Sequence, residues 1–246
     1  MNGINLSIIA ANVNSPEWGE LLVQSIRKFT NSEYEIIIVD NGSNSKNIAW
    51  FRQQKDIQLI EMGGNTGHGA ALDTGTRAAQ GKWGCGIDID AHFQRSGWDT
   101  DLMELYHSNP AIRLIGCKGP EIKPLHPPLF FFEREFFLEH GILFKYQPGV
   151  KGSTDSTQKA YWDILELGYE VFRFETGTKI YDAIGDEFWI SGKPTIYHQY
   201  YGSRFQENDP TRTAQSLDGI SLETHLKNKA KLFEQPFVKE ILGFIN

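Results

Sequence analysis

Apolar runs and helix-period stretches alternate four times in the first 108 residues, and this alternation constrains the fold more than any other feature. Leu6-Ser7-Ile8-Ile9-Ala10-Ala11 is a nearly unbroken apolar run, as expected of a strand covered on both faces. Ser15-Pro16-Glu17 reads as a helix start: a capping hydroxyl, Pro at the first helical position and an acid at the positive end of the dipole. Trp18, Leu21, Leu22, Ile26 and Phe29 follow at helical spacing. Tyr34 to Val39 is a second strand, with a turn at Asn41-Gly42-Ser43 and a short helix over 46–54. Ile57 to Ile60 is a third strand, Gly63 to Gly67 a loop, and 68–80 a helix. Lys82 to Ile89 is a fourth strand, and 97–108 a helix with Trp98, Leu102, Leu105 and Tyr106 on one face. Such alternation predicts an α/β fold, a Rossmann-like, mainly parallel sheet flanked by helices.

The second half is less regular. The aromatic run around Pro127 to Phe132 reads as core, and His126 with the following prolines is a candidate lining of a cleft. A helix is expected over 155–167, ended by Gly168, with strands near 169–174 and 194–200. The stretch 202–219 is polar and without period, either a mobile lid or an exposed loop. A helical region covers about 221–232.

Ligands of open α/β sheets bind outside the carboxyl ends of the strands. Asn12 and Asn14 follow the first strand, Asp40 and Asn41 the second, Asn65 and Gly67 the third, and Asp88 and Asp90 the fourth. Turn chemistry alone favours Asn, Asp and Gly at such places, so Asp40 is read as a ligand contact or as an Asx-turn. Two carboxylates at i and i+2 are a sharper signal. Grouped carboxylates repel unless a cation or a donor network compensates. A hard divalent ion, Mg²⁺ or Mn²⁺, fits that chemistry and would neutralise a leaving diphosphate.

Over 1–108 the chain resembles the family 2 glycosyltransferases, which have the GT-A fold. Leu6 to Asn14 looks like their opening strand, with Ala11, Asn12 and Val13 where Pro-Thr-Tyr is common. Ile38-Val39-Asp40-Asn41-Gly42-Ser43 looks like the segment whose acid contacts the nucleoside. Asn65-Thr66-Gly67 and the helix after it look like the Asn-x-Gly segment, with Asp73 where Asn is usual. Asp88-Ile89-Asp90 falls on the acidic metal-binding motif. The resemblance implies a donor set of Asn12, Asn14, Asp40, Asn65, Gly67 and Asp88, with metal on Asp90. Later, Asp155 before the helix ending at Leu167-Gly168 resembles the motif that supplies the general base. Asp155 also fits a capping box with Gln158. Ile196-Tyr197-His198 resembles the late strand whose His joins the metal or diphosphate; His92 is a second candidate.

The resemblance thus implies a metal-dependent, inverting glycosyltransferase acting on a nucleotide-diphosphate sugar. The acceptor would be a glycan or another hydroxyl-bearing group, a modified nucleic-acid base being a less favoured option. Residues 1–110 are expected to bind the nucleotide sugar and 111–201 the acceptor, with 202–246 a loop and helical tail. The competing enzyme reading is an NAD-dependent oxidoreductase: Gly67-His68-Gly69 opens a helix, and Asp88 follows about 20 residues on. Leu72 at the third glycine position opposes it. A nucleotidyltransferase would need a basic Gly-rich triphosphate loop, which is not visible. A third reading is a GT-A-like module that binds nucleotide sugars without turnover.

Leu129 to Phe132, among the longest apolar runs, is far short of the roughly 20 residues of a membrane span. The N-terminus lacks the pattern of a signal peptide, so a cytoplasmic protein is expected. Cys85 and Cys117 read as buried thiols. The net charge of -7 weighs mildly against a large phosphate-tracking surface.

Overall fold

The computed structural model describes residues 3–118, 125–145, 156–174, 185–199 and 221–244. Strands β1 (Leu6–Asn12), β2 (Tyr34–Asp40), β3 (Ile57–Glu61) and β4 (Trp83–Ile87) alternate with helices α1 (Pro16–Phe29), α2 (Ser45–Gln53) and α3 (His68–Ala78). Then come β5 (Ala91–Phe93), α4 (Trp98–Ser108), β6 (Ile112–Lys118), β7 (Leu125–Glu133) and α5 (Arg134–Glu139). Helix α6 (Gln158–Glu166), β8 (Glu170–Phe174), β9 (Gly185–Ile190) and β10 (Lys193–Gln199) follow, and α7 (Leu222–Phe233) and α8 (Pro236–Ile241) close the described chain.

Seven strands form one sheet in the order β3-β2-β1-β4-β7-β6-β8. Only β7 runs antiparallel to its neighbours, β4 and β6. A second, three-stranded antiparallel sheet has the order β5-β10-β9. The large sheet is covered on both faces, as its apolar strands require. Leu6, Ile8, Ile36 and Ile38 face one core with α1 and α4; Ile9, Ile37 and Val39 face the other with α3. The aromatic run of β7 divides the same way: Phe131 joins the first core, Phe130 and Phe132 the second.

Two expected caps are formed differently. Ser15 occupies the N-cap position of α1, but its hydroxyl donates to the Val13 carbonyl at 2.8 Å and caps no helical N–H. Helix α6 begins at Gln158 with Thr157 at its N-cap, later than expected. The Gln158 amide does not reach back; it donates to the buried Leu125 carbonyl at 2.5 Å. Asp155 and the 202–219 stretch lie outside the described residues.

Candidate active site

Strand β4 ends at Ile87, and the chain reverses at once. The Ala91 N–H donates to the Asp88 carbonyl at 3.0 Å, closing a tight turn into β5. Ile89 points into the core, so the carboxylates on either side of it face the same way. Strand β10 docks beside the turn: the Gln199 N–H donates to the Asp90 carbonyl at 3.0 Å, and His198 is in register with Ala91. This brings His198 Nε2 to 3.3 Å from Asp90 Oδ1 and 3.5 Å from Asp88 Oδ2. One ligand atom from each of Asp88, Asp90 and His198 lies within 4.8 Å of the others.

That donor set, two carboxylates and one imidazole, has the spacing of a metal group and suits Mn²⁺ better than the harder Mg²⁺, which prefers oxygen ligands. Burial disfavours a charge on the His198 ring, yet the carboxylates of Asp90, Asp88 and Asp186 outweigh it and raise its pKa. Asp88 was expected on the donor alone; the structure also brings it to the candidate metal group. His126 on β7 meets the His198 ring edge-on, with centroids 5.6 Å apart.

His92 does not join this group. Its ring packs against Tyr197 and Phe237, and burial drives its pKa down to about 3. His225, buried on α7, was not singled out in the sequence. Its pKa is lowered to about 4 by burial and by Lys229, against the opposing pull of Asp90. Only the contrast of buried His225 and Asn228 with apolar Leu232 on one helix could have signalled it.

The other expected donor residues stand on the same sheet edge, bonded to one another. Asn12 Nδ2 donates to Asp40 Oδ1 at 2.8 Å and to Ser43 Oγ at 3.1 Å. Asp40 Oδ2 accepts from the Gly42 and Ser43 N–H groups, which is an Asx-turn, and Oδ1 also takes the Ser43 hydroxyl. Asn14, at φ 49°, accepts from the Asn44 N–H at 2.8 Å. Asn65 Oδ1 accepts from Asn41 Nδ2 at 3.1 Å and from the Gly67 N–H at 3.0 Å. Gly67, at φ 95°, turns the chain into α3 in a conformation that L side chains rarely adopt.

Two residues of α3 reach the second half of the chain. Asp73 accepts from the Phe144 and Lys145 N–H groups at 2.7 and 3.1 Å. Gly69 allows that approach, since a Cβ there would stand 2.1 Å from the Phe144 carbonyl oxygen. His68 Nδ1 lies 3.0 Å from Ser156 Oγ, and its Nε2 lies 3.4 Å from Asp88 Oδ1.

The sequence profile of Glycosyl transferase family 2 matches residues 7–160, more than half of the chain. The chain belongs to that family. Family 2 membership removes the oxidoreductase reading, and the topology agrees: Gly67-His68-Gly69 follows the edge strand β3, not β1. A curated relative, dolichyl-phosphate beta-glucosyltransferase of Dictyostelium discoideum, is 22% identical over 80% of this chain and 62% of its own length. An uncharacterised glycosyltransferase of Rickettsia conorii is 27% identical over 53% of this chain. The chain spans only 23% of that relative's length. Among solved structures, a mannosyltransferase from Pyrobaculum calidifontis in complex with GDP-Man and Mn²⁺ superposes with TM-score 0.54 at 20% identity. That match covers 69% of this chain and 54% of the other. S. aureus TarS in complex with UDP-GlcNAc gives TM-score 0.57 at 15% identity, over 97% of this chain and 70% of the other. These likenesses establish the GT-A fold of this family 2 chain. No helix among the described residues is long and apolar enough to cross a membrane.

Proposed function

We propose that this chain transfers a sugar from a nucleoside-diphosphate donor to an acceptor hydroxyl, with inversion and with a divalent metal. The observation that carries the reading is the convergence of Asp88 and Asp90, in the turn at the carboxyl end of β4, with His198 of the neighbouring strand β10. These three residues would hold the ion, which supplies positive charge to the leaving diphosphate. The Mn²⁺ complex of the Pyrobaculum neighbour is consistent with this. The loops after β1, β2 and β3, with Asn12, Asn14, Asp40, Asn65 and Gly67, form the wall against which the nucleoside lies.

The bond from the anomeric carbon to the diphosphate oxygen breaks as the acceptor oxygen attacks from the opposite face. Asp155 takes the acceptor's proton. A glycan hydroxyl is the favoured acceptor.

Thermal shift tests the donor side. A nucleoside diphosphate with Mn²⁺ is expected to raise the melting temperature, and Asp90→Ala to abolish the Mn²⁺-dependent part. Transfer by Asp90→Ala should fall about a thousandfold, the several kcal/mol expected of lost charge stabilisation. Near-normal turnover in that variant would refute the metal role. Nucleotide-sugar binding without hydrolysis or transfer, across a donor panel, would favour the binding-module reading.

A further inference from the structure

The two oxygens of Asp88 face different partners. Oδ2 looks toward His198, in the group that could hold a metal, and Oδ1 toward His68. The four side chains thus form a row, His68, Asp88, His198, Asp90. Its two ends differ in access. Asp90 and His198 have side chains only 5% and 6% exposed, whereas those of Asp88 and His68 are 16% and 36% exposed. A diphosphate and its ion belong at the buried end, where a low dielectric strengthens their attraction. The sugar of the same donor then lies toward the open end.

We infer that His68 is a sugar-reading residue: with Asp88 it brackets one hydroxyl of the donor sugar. Ser156, which is buried, fixes the ring through its hydroxyl at 3.0 Å from Nδ1. Ser156 engages Nδ1, and Nε2 is the ring nitrogen turned toward Asp88. Nε2 and Oδ1 are 3.4 Å apart. A hydroxyl oxygen can stand about 2.8 Å from both, accepting from the imidazole and donating to the carboxylate. Only a group that both donates and accepts satisfies the two at once, and a sugar hydroxyl does. An acetamido group at the same place offers its N–H to Asp88 but presents no oxygen at that point to Nε2. His68 therefore favours donors with a free hydroxyl there.

The inference rests on the donor reading above. The test compares the affinity for UDP-glucose, UDP-GlcNAc and GDP-mannose with that for UDP or GDP alone, by calorimetry with Mn²⁺. The ratio of sugar-nucleotide to nucleoside-diphosphate affinity isolates what the sugar adds. For the best-bound hydroxyl donor, His68→Ala should lower that ratio about tenfold, the effect of one hydrogen bond to a charged-pair bracket. His68→Gln, which keeps an N–H donor, should recover part of it. Ser156→Ala, which frees the ring, should lose less than His68→Ala. A ratio unchanged in His68→Ala, with the variant folded by circular dichroism, overturns the inference alone. A wild-type protein that binds none of the nucleotide sugars or diphosphates overturns the donor reading beneath it.

Discussion

The loops after β1, β2 and β3 and the turn after β4 share one sheet edge, but they use their polar residues in opposite ways. Asp40 accepts from Asn12, Gly42 and Ser43, and the bonds close the loop on itself. In the β4 turn, two carboxylates converge on one imidazole brought in by another sheet. The first arrangement is self-compensating and builds a wall. The second is a concentration of negative charge that a cation would relieve. Polarity at a strand end therefore does not mark chemistry; convergence of like charges does.

The largest expected effects test that distinction directly. Asp40→Ala removes the acceptor of two backbone N–H groups and one of the two acceptors of the fully buried Asn12 amide, which keeps only Ser43 Oγ. It should cost about 3 kcal/mol in urea unfolding. Asp90→Ala removes repulsion from Asp88 together with attraction to His198, so without metal it should change stability by no more than about 1 kcal/mol. Equal losses in the two variants would break the comparison.

Two buried imidazoles sharpen it further. Among the described residues no carboxylate favours a charge on His92, and burial lowers its pKa from 6.5 to about 3. Its unfolded form takes a proton near pH 6.5 and its folded form does not. Stability is therefore complete above that pH and declines as the pH falls toward the folded value, by up to about 1.4 kcal/mol per pH unit. His198, with its raised pKa, acts in the reverse sense: its contribution is present below pH 6.5 and is lost as the pH rises through the folded pKa. His92→Phe should flatten the acid side of a plot of unfolding free energy against pH. An unchanged slope would show that His92 is not the group responsible.

The same contrast explains what the sequence made legible. Strands β1, β2 and β4 were readable because they are largely buried and so nearly continuous in apolar residues, whereas the edge strand β3 buries only Ile57 fully and was read from Ile57, Leu59 and Ile60. The Asp88–Asp90 pair was readable because both carboxylates sit in one turn. Their partner His198 needed the family resemblance, since the strand that links it to the turn, β5, has three residues and no measurable period. Strand β6 went unread because Arg113 interrupts its apolar run. In the fold that guanidinium lies over the rings of Tyr106, Phe136 and Tyr169 and behaves as part of the packed face. The β9–β10 hairpin did carry a signal. Ser191-Gly192, at φ 53° and 72°, is the Ser-Gly pair of a two-residue turn. His68 was hidden by distance, as its ring partner Ser156 is 88 positions away.

The smallest expected effect concerns the seam between the two halves. Asp73, where the family usually has Asn, gives one carboxylate oxygen to each of two successive N–H groups. An amide in the same place would present its NH₂ to one of them. Burial raises the Asp73 pKa, and the two backbone bonds with Arg77 and Lys145 offset only part of that. What the bonds contribute is thus reduced by the charge they hold out of water. Asp73→Ala should cost about 1 kcal/mol, well below Asp40→Ala, although both remove a carboxylate that accepts successive N–H groups. The ranking follows from the company each acid keeps. Asp40 also holds a side-chain amide that has no other carboxylate within reach in its hydrogen bonds, whereas the N–H of Lys145 is only partly buried and can turn to water. A loss at Asp73 as large as that at Asp40 would mean that the attachment of residues 144–145 to α3, and not the loop network of the sheet edge, is the more costly structure to break.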